Sequence, residues 1–156
     1  MELIITAKGN KYSVHDRKNR LLYTVKKKGL GMTRFVLLDA SNYHLYSIIQ
    51  DGDERKPSFH LTHNDNLLMT LMCRSLFLDP TIIVENKEIH YQIASKDRKN
   101  FEIIMDGEVK GTIKTLVTAS GDFQYELEID NKVFDDYLVL FVVAVDRTFS
   151  EINKSN

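Results

Sequence analysis

Polar and apolar positions alternate without a break from Phe123 to Asp130. Phe123, Tyr125, Leu127 and Ile129 fall on one face, and Gln124, Glu126, Glu128 and Asp130 fall on the other. A period of two is the pattern of a strand with one dry face and one wet face. Ile89–Ile93 and Glu108–Lys114 repeat it, and Leu21–Lys28 and Thr33–Asp39 are rich in Leu, Val, Tyr and Phe. In Asn66–Phe77 the residues Leu67, Leu68, Leu71, Met72, Leu76 and Phe77 fit helical spacing nearly as well, and only the neighbouring segments favour a strand. Turn signals dominated by Gly, Asn and Asp separate these segments at intervals of about eight to twelve residues, the spacing of an all-β sandwich or barrel. Asp106-Gly107 and Asn86-Lys87 predict tight hairpins, and hence antiparallel neighbours.

The last segment breaks the alternation. Eight consecutive apolar residues, Leu138 to Val145, follow Asp135-Asp136-Tyr137 and precede Asp146-Arg147-Thr148-Phe149. Valines favour a strand, but strands buried on both faces belong mainly to parallel sheets, and this chain otherwise reads as hairpins. Carboxylates before the run and an arginine after it suit a helix dipole, with Asp135 as an N-cap. A helix that is apolar all round is buried all round. The expectation is therefore a central helix over residues 135–149, with Leu138, Phe141, Val142 and Val145 in the core and residues 150–156 as a tail. The remaining 134 residues suffice for about twelve strands, a barrel too wide for its own side chains to fill.

Composition narrows the class. A chain of 156 residues, 43% hydrophobic and 28% charged, forms one soluble domain. A single cysteine excludes a disulfide framework and multi-cysteine zinc sites. A net charge of −1 argues against a general nucleic-acid binder. No apolar run reaches the ~18–20 residues of a membrane span, and Met1-Glu2-Leu3-Ile4-Ile5 lacks the form of a signal peptide. Cytoplasmic residence follows as the expectation.

Three stretches carry a family likeness. Tyr12-Ser13-Val14-His15-Asp16 with Leu22-Tyr23-Thr24-Val25-Lys26, Leu37-Leu38-Asp39 with Leu45-Tyr46-Ser47-Ile48, and Asp136 through the apolar run to Phe149 occur in order along the chain. This series resembles the tubby C-terminal-like superfamily, which includes the LURP-one-related proteins and the phospholipid scramblases. The likeness is closest to its small bacterial members. It implies a twelve-stranded antiparallel barrel around a hydrophobic C-terminal helix. It implies architecture more than activity: tubby proteins bind phosphoinositides, scramblases are linked to phospholipid movement, and many small members have no assigned activity. The cysteine-rich stretch and second apolar tail of scramblases are missing here.

Motifs for chemistry are few. There is no Gly-rich phosphate loop, nucleophile elbow or His-Glu-x-x-His. His60 and His63 stand three apart, which on a strand points them to opposite faces. Asp51-Gly52-Asp53-Glu54-Arg55 starts like a calcium loop but has Lys56 and Thr62 where glycine and glutamate belong. Cys73 sits in an apolar run. No catalytic residue, metal ligand or cofactor is expected, so an enzyme is the least supported reading. Asp-Arg-Lys-Asn occurs at Asp16–Asn19 and at Asp97–Asn100, from an internal duplication or by coincidence.

Charge placement is the unusual feature. Residues 1–34 hold nine Lys/Arg and two acids, a balance of +7, which leaves −8 for the rest of a chain of net −1. Arg17, Lys18, Arg20, Lys26, Lys27 and Lys28 form a candidate anionic-lipid patch on one hairpin. The competing reading is a solvated edge whose lysines discourage strand pairing. The expected function is thus a non-enzymatic binding module docking on anionic membrane lipid, with peripheral membrane attachment; the alternative is a protein–protein interaction or structural domain with no lipid binding.

Overall fold

A computed structural model describes residues 1–154. Twelve strands run in chain order: β1 (Glu2–Lys8), β2 (Lys11–His15), β3 (Leu21–Lys28), β4 (Thr33–Asp39), β5 (His44–Asp53), β6 (Lys56–His63), β7 (Asn66–Ser75), β8 (Thr81–Glu85), β9 (His90–Ser95), β10 (Asn100–Met105), β11 (Glu108–Val117) and β12 (Phe123–Ile129). Each pairs antiparallel with its neighbour in sequence, and β1 with β12 closes the barrel. Closure removes the free edges that an open sheet would expose. The ambiguous segment at residues 66–77 is strand: Met69, Leu71 and Cys73 face inward and are buried, while Thr70 and Met72 face outward.

Turn chemistry sets the register. Asp106 and Gly107 both have positive φ (49° and 84°), the geometry that joins two strands through a two-residue loop. The second expected tight turn is longer. Residues 86–89 separate β8 from β9, and the Asn86 side chain caps the loop by accepting the Glu88 N–H at 2.7 Å. The two Asp-Arg-Lys-Asn copies make different turns at opposite ends of the barrel. In the first, Asp16 accepts the N–H groups of Lys18 and Arg20, and Asn19 has φ 62°. In the second, Asp97 accepts those of Lys99 and Asn100, and Arg98 has φ 63°. The repeat is shared local chemistry, since Asp and Asn both serve turns. Gly111 has a packing reason: a Cβ there would lie 2.6 Å from the Glu128 carbonyl oxygen.

The helix α1 (Leu138–Lys154) lies inside the barrel. Every residue from Leu138 to Asp146 is buried. Phe141 packs edge-on against Tyr91 with ring centroids 5.2 Å apart, and Phe149 lies tilted against Phe101 at the same separation. The helix differs from the expected 135–149 at both ends. Residues 135–137 form a tight entry turn through main-chain bonds from Leu138, Val139 and Leu140 to the carbonyls of Asp135, Asp136 and Tyr137. Asp135 therefore contributes its carbonyl, and its carboxylate accepts the Tyr46 hydroxyl at 3.4 Å instead of capping an amide. Residues 150–154, expected as tail, stay helical, tied by Asn153 Nδ2 donating to the Arg98 carbonyl at 2.7 Å. Residues 155–156 of that tail lie outside the described residues.

Truncating Phe141 to Ala removes a fully enclosed ring and is expected to cost about 3–5 kcal/mol, read by urea unfolding. Val142→Asp, Val143→Asp and Val145→Asp should each prevent folding, because each places an unpaired charge where no water reaches. Soluble, cooperatively unfolding protein from any of the three would show a wet helix face and contradict the enclosed position.

Candidate functional site

Basic side chains converge on one part of the outer wall because of strand register. On β1 to β4, Ile5, Tyr12, Val25 and Phe35 point inward and are buried. Alternation then turns Lys8, Lys11, Lys26, Lys28 and Arg34 outward. Pairing sets Lys8 opposite Lys11, Lys11 opposite Lys26, and Lys28 opposite Arg34. Lys27 has the parity of Val25 but lies past the last buried layer, exposed at the rim. Opposed residues sit about 4.5–5.5 Å apart at Cβ, so like charges here repel. Among the described residues, none of the five lysines makes a salt bridge. Arg34 is partly engaged: it donates to Ser47 Oγ at 3.2 Å and lies 4.0 Å from Asp65.

The six residues of the expected patch separate into two groups. Lys26, Lys27 and Lys28 stand at one end of β3, while Arg17, Lys18 and Arg20 belong to the turn before its other end. Seven residue steps separate Arg20 from Lys27, about 23 Å of strand. Arg17 is paired with Glu2, and Arg20 with Asp16 at 2.7 Å. Strand register adds Lys8, Lys11 and Arg34 to the first group. The signal for them was the Lys8-Gly9-Asn10-Lys11 turn, which forces the two lysines side by side.

A cleft of about 910 Å³ runs beside the second group, over β1, β11 and β12. Arg17, Lys18, Arg20, Lys110 and Lys114 line it together with Glu2, Asp16, Glu128 and Asp130. The Met1 ammonium donates to the Ile129 carbonyl at 2.9 Å within it. Its charges largely answer one another, so it has little preference for an anion.

Asp146 is the other unusual ionisable group. It is 9% exposed, and its two oxygens accept the hydroxyls of Tyr12 (2.5 Å) and Tyr125 (2.6 Å). Burial, then the Asp146 charge, pushes both hydroxyls well above the usual tyrosine range, so they remain donors. Tyr12 lies on β2 and Tyr125 on β12, on either side of β1, so the three residues fasten the helix across the closing strand pair. The next helix residue, Arg147, donates to Gln50 Oε1 at 2.9 Å and covers the Phe35 ring at 5.5 Å. At the other mouth, Tyr23 donates to Asp136, and the Tyr91 and Tyr137 hydroxyls are 2.7 Å apart.

The other singled-out residues have local roles. Asp51 and Asp53 accept the N–H groups of Gly52 and Arg55, which turns their carboxylates onto their own loop. His60 lies 3.8 Å from Asp51, while His63 packs against Tyr46. Burial pushes the Cys73 thiol up. Among the described residues, no group of three or more His, Cys, Asp or Glu could hold a metal ion. No described helix is long and apolar enough to cross a membrane.

The family model for LURP-one-related proteins matches residues 1–146, and the chain belongs to that family. An X-ray structure of a protein from Arabidopsis thaliana is similar over 97% of this chain and 90% of its own, at 17% identity and a TM-score of 0.61. At that identity the likeness concerns the fold alone. None of the curated proteins compared matches this chain.

Removing one donor from Asp146, by Tyr12→Phe or Tyr125→Phe, is expected to cost about 1.5–3 kcal/mol in urea unfolding. The double variant should lose about 3–5 kcal/mol or more, because the buried carboxylate keeps no donor. Double-variant stability equal to wild type would show that the hydroxyls do not hold the helix.

Proposed function

We propose that this LURP-one-related chain is a non-enzymatic, cytoplasmic binding module that docks on anionic phospholipid through the basic end of β1–β4. The observation that carries the reading is the row Lys8–Lys11–Lys26 with Lys27 and Lys28: adjacent like charges, held in register and without a carboxylate among the described residues. Such a row is relieved by an external anion. With Arg34 it reaches six cations, within the four to eight that bind anionic membranes at ~1 kcal/mol each. Catalysis has less support, since the hydroxyls of Tyr12, Tyr23, Tyr125 and Tyr137 and the Cys73 thiol all hold their protons more tightly than free side chains do. A protein-docking reading rests on a different feature, the outward apolar strip of Leu68, Met72 and Ile83 on β7 and β8.

Changing Lys26, Lys27 and Lys28 together to Glu should lower partitioning onto phosphatidylserine-containing vesicles more than 100-fold, on the order of the loss of three basic contacts. The fold should survive, since exposed charges contribute little to stability. Wild-type binding should weaken steeply with added salt. Sedimentation with vesicles reads both effects. Equal binding to phosphatidylcholine alone, or unaltered binding by the triple variant, overturns the reading.

A further inference from the structure

The barrel is polarised along its axis. Consecutive strands alternate in direction, so six connections emerge at one end, with the C-terminal turn of the helix. In the turns and strand ends there (residues 8–11, 26–34, 51–56, 74–81, 95–100, 115–123 and 150–154), thirteen Lys/Arg face seven Asp/Glu. At the opposite end (1–2, 15–21, 39–44, 63–66, 85–90, 105–110 and 128–137), six face twelve. The molecule therefore presents one basic rim and one acidic rim, although its net charge is only −1.

The basic rim also carries exposed apolar side chains in a regular arrangement. Its connections alternate between polar and apolar around the ring. The β1–β2, β5–β6 and β9–β10 turns hold Gly9-Asn10, Glu54-Arg55 and Lys96 to Lys99. Between them, the β3–β4 loop exposes Leu30 fully and Met32 at 58%. The β7–β8 loop exposes Phe77 at 67% and Leu78 at 83%, and the end of β11 exposes Val117 at 64%. These three apolar sites are four strands apart in a closed ring of twelve, so they divide the rim into thirds. The side chains of Leu30, Leu78 and Val117 cover little of their own protein. The Arg98 guanidinium lies 5.6 Å from the Phe77 ring, so a cation stands beside one apolar tip, and Lys27 and Lys28 stand beside another.

We infer that this protein docks end-on, with the barrel axis across the plane of an anionic bilayer, its basic rim on the headgroups and its three apolar tips inserted between them. The inference rests on the lipid-binding reading above and extends it from a lateral patch to the whole rim. Charge complementarity selects the partner and the orientation: an anionic surface attracts the rim with thirteen cations and repels the rim with twelve acids. Apolar side chains flanked by cations match the boundary between headgroup and acyl chain. A tripod also fixes the tilt, which a single basic hairpin cannot do.

The test places Leu30→Cys, Leu78→Cys, Val117→Cys and, at the opposite rim, Tyr43→Cys in separate proteins, each labelled with an environment-sensitive fluorophore; Cys73 is buried and spared. Vesicles of phosphatidylserine and phosphatidylcholine should shift the emission of the first three to the blue and leave position 43 unchanged. Leu78→Ser and Val117→Ser should each lower vesicle partitioning about three- to tenfold, the effect of withdrawing one partly inserted apolar side chain. If wild type binds these vesicles and the Lys26/Lys27/Lys28→Glu variant does not, but positions 78 and 117 show neither blue shift nor loss, docking is lateral. The end-on inference is then overturned while the lipid reading stands. If wild type binds no anionic vesicle, both fall. If Leu78→Ser and Val117→Ser abolish self-association in sedimentation and leave vesicle binding unchanged, the tips belong to a second copy of the chain, and the inference is overturned in that way.

Discussion

A helix with no polar face can exist in water only if something encloses it, and that requirement organises this molecule. Leu138 to Val145 offer apolar side chains in every direction, so packing on one side would leave several of them wet. Twelve strands provide a ring wide enough to admit the helix, and the helix in turn fills a lumen that strand side chains could not close alone. Barrel and helix thus depend on each other: neither buries its apolar surface without the other.

Enclosure creates a second problem, since an apolar cylinder in an apolar tube has no preferred depth or rotation. Polar contacts at the two ends of the apolar run supply both. At one mouth Asp136 takes the Tyr23 hydroxyl and Tyr137 meets Tyr91. Toward the other, Asp146 takes two hydroxyls, Arg147 reaches Gln50, and Asn153 holds the β9–β10 turn. A buried carboxylate is costly in itself, by several kcal/mol. Its position between Tyr12 and Tyr125, astride β1, indicates what the cost offsets: one group sets the helix and bridges the strand pair on which closure depends.

The architecture was legible in the sequence because it is written in periodicities. Period two gave the strands, turn residues gave their count, and an apolar run flanked by carboxylates gave the enclosed helix. Details that depend on tertiary partners were not legible. The helix start moved to Leu138 because tyrosines on other strands engage Asp135 and Asp136. Its end moved to Lys154 because the Arg98 carbonyl, distant in sequence, receives Asn153. Asp146 read as a polar exit, since nothing near it in sequence announces two buried hydroxyl donors. The candidate lipid patch was half legible. Charge count located the basic N-terminal region, but only strand direction shows that Arg17 and Lys28 face opposite ends, and only register brings Lys8, Lys11 and Arg34 to the same wall.

The same constraint bears on where function can reside. With the lumen occupied from Leu138 to Phe149, the helix fills the space that ligand-carrying barrels use, and the described residues leave recognition to the wall and the rims. The wall is made of strands whose outward residues mostly alternate with the core, so its composition is constrained by pairing. Rim loops are freer, because they need only turn the chain. In this chain the freedom is used unevenly. One rim collects carboxylates around the helix entry, where they meet tyrosine hydroxyls, and the other collects lysines and arginines beside exposed Leu30, Phe77, Leu78 and Val117. Helix entry accounts for part of the acidic rim. At the opposite rim Lys8, Lys11, Lys26, Lys27 and Lys28 make no salt bridge among the described residues, and Leu30, Leu78 and Val117 are largely exposed, which makes that rim the part of the structure whose chemistry points outward.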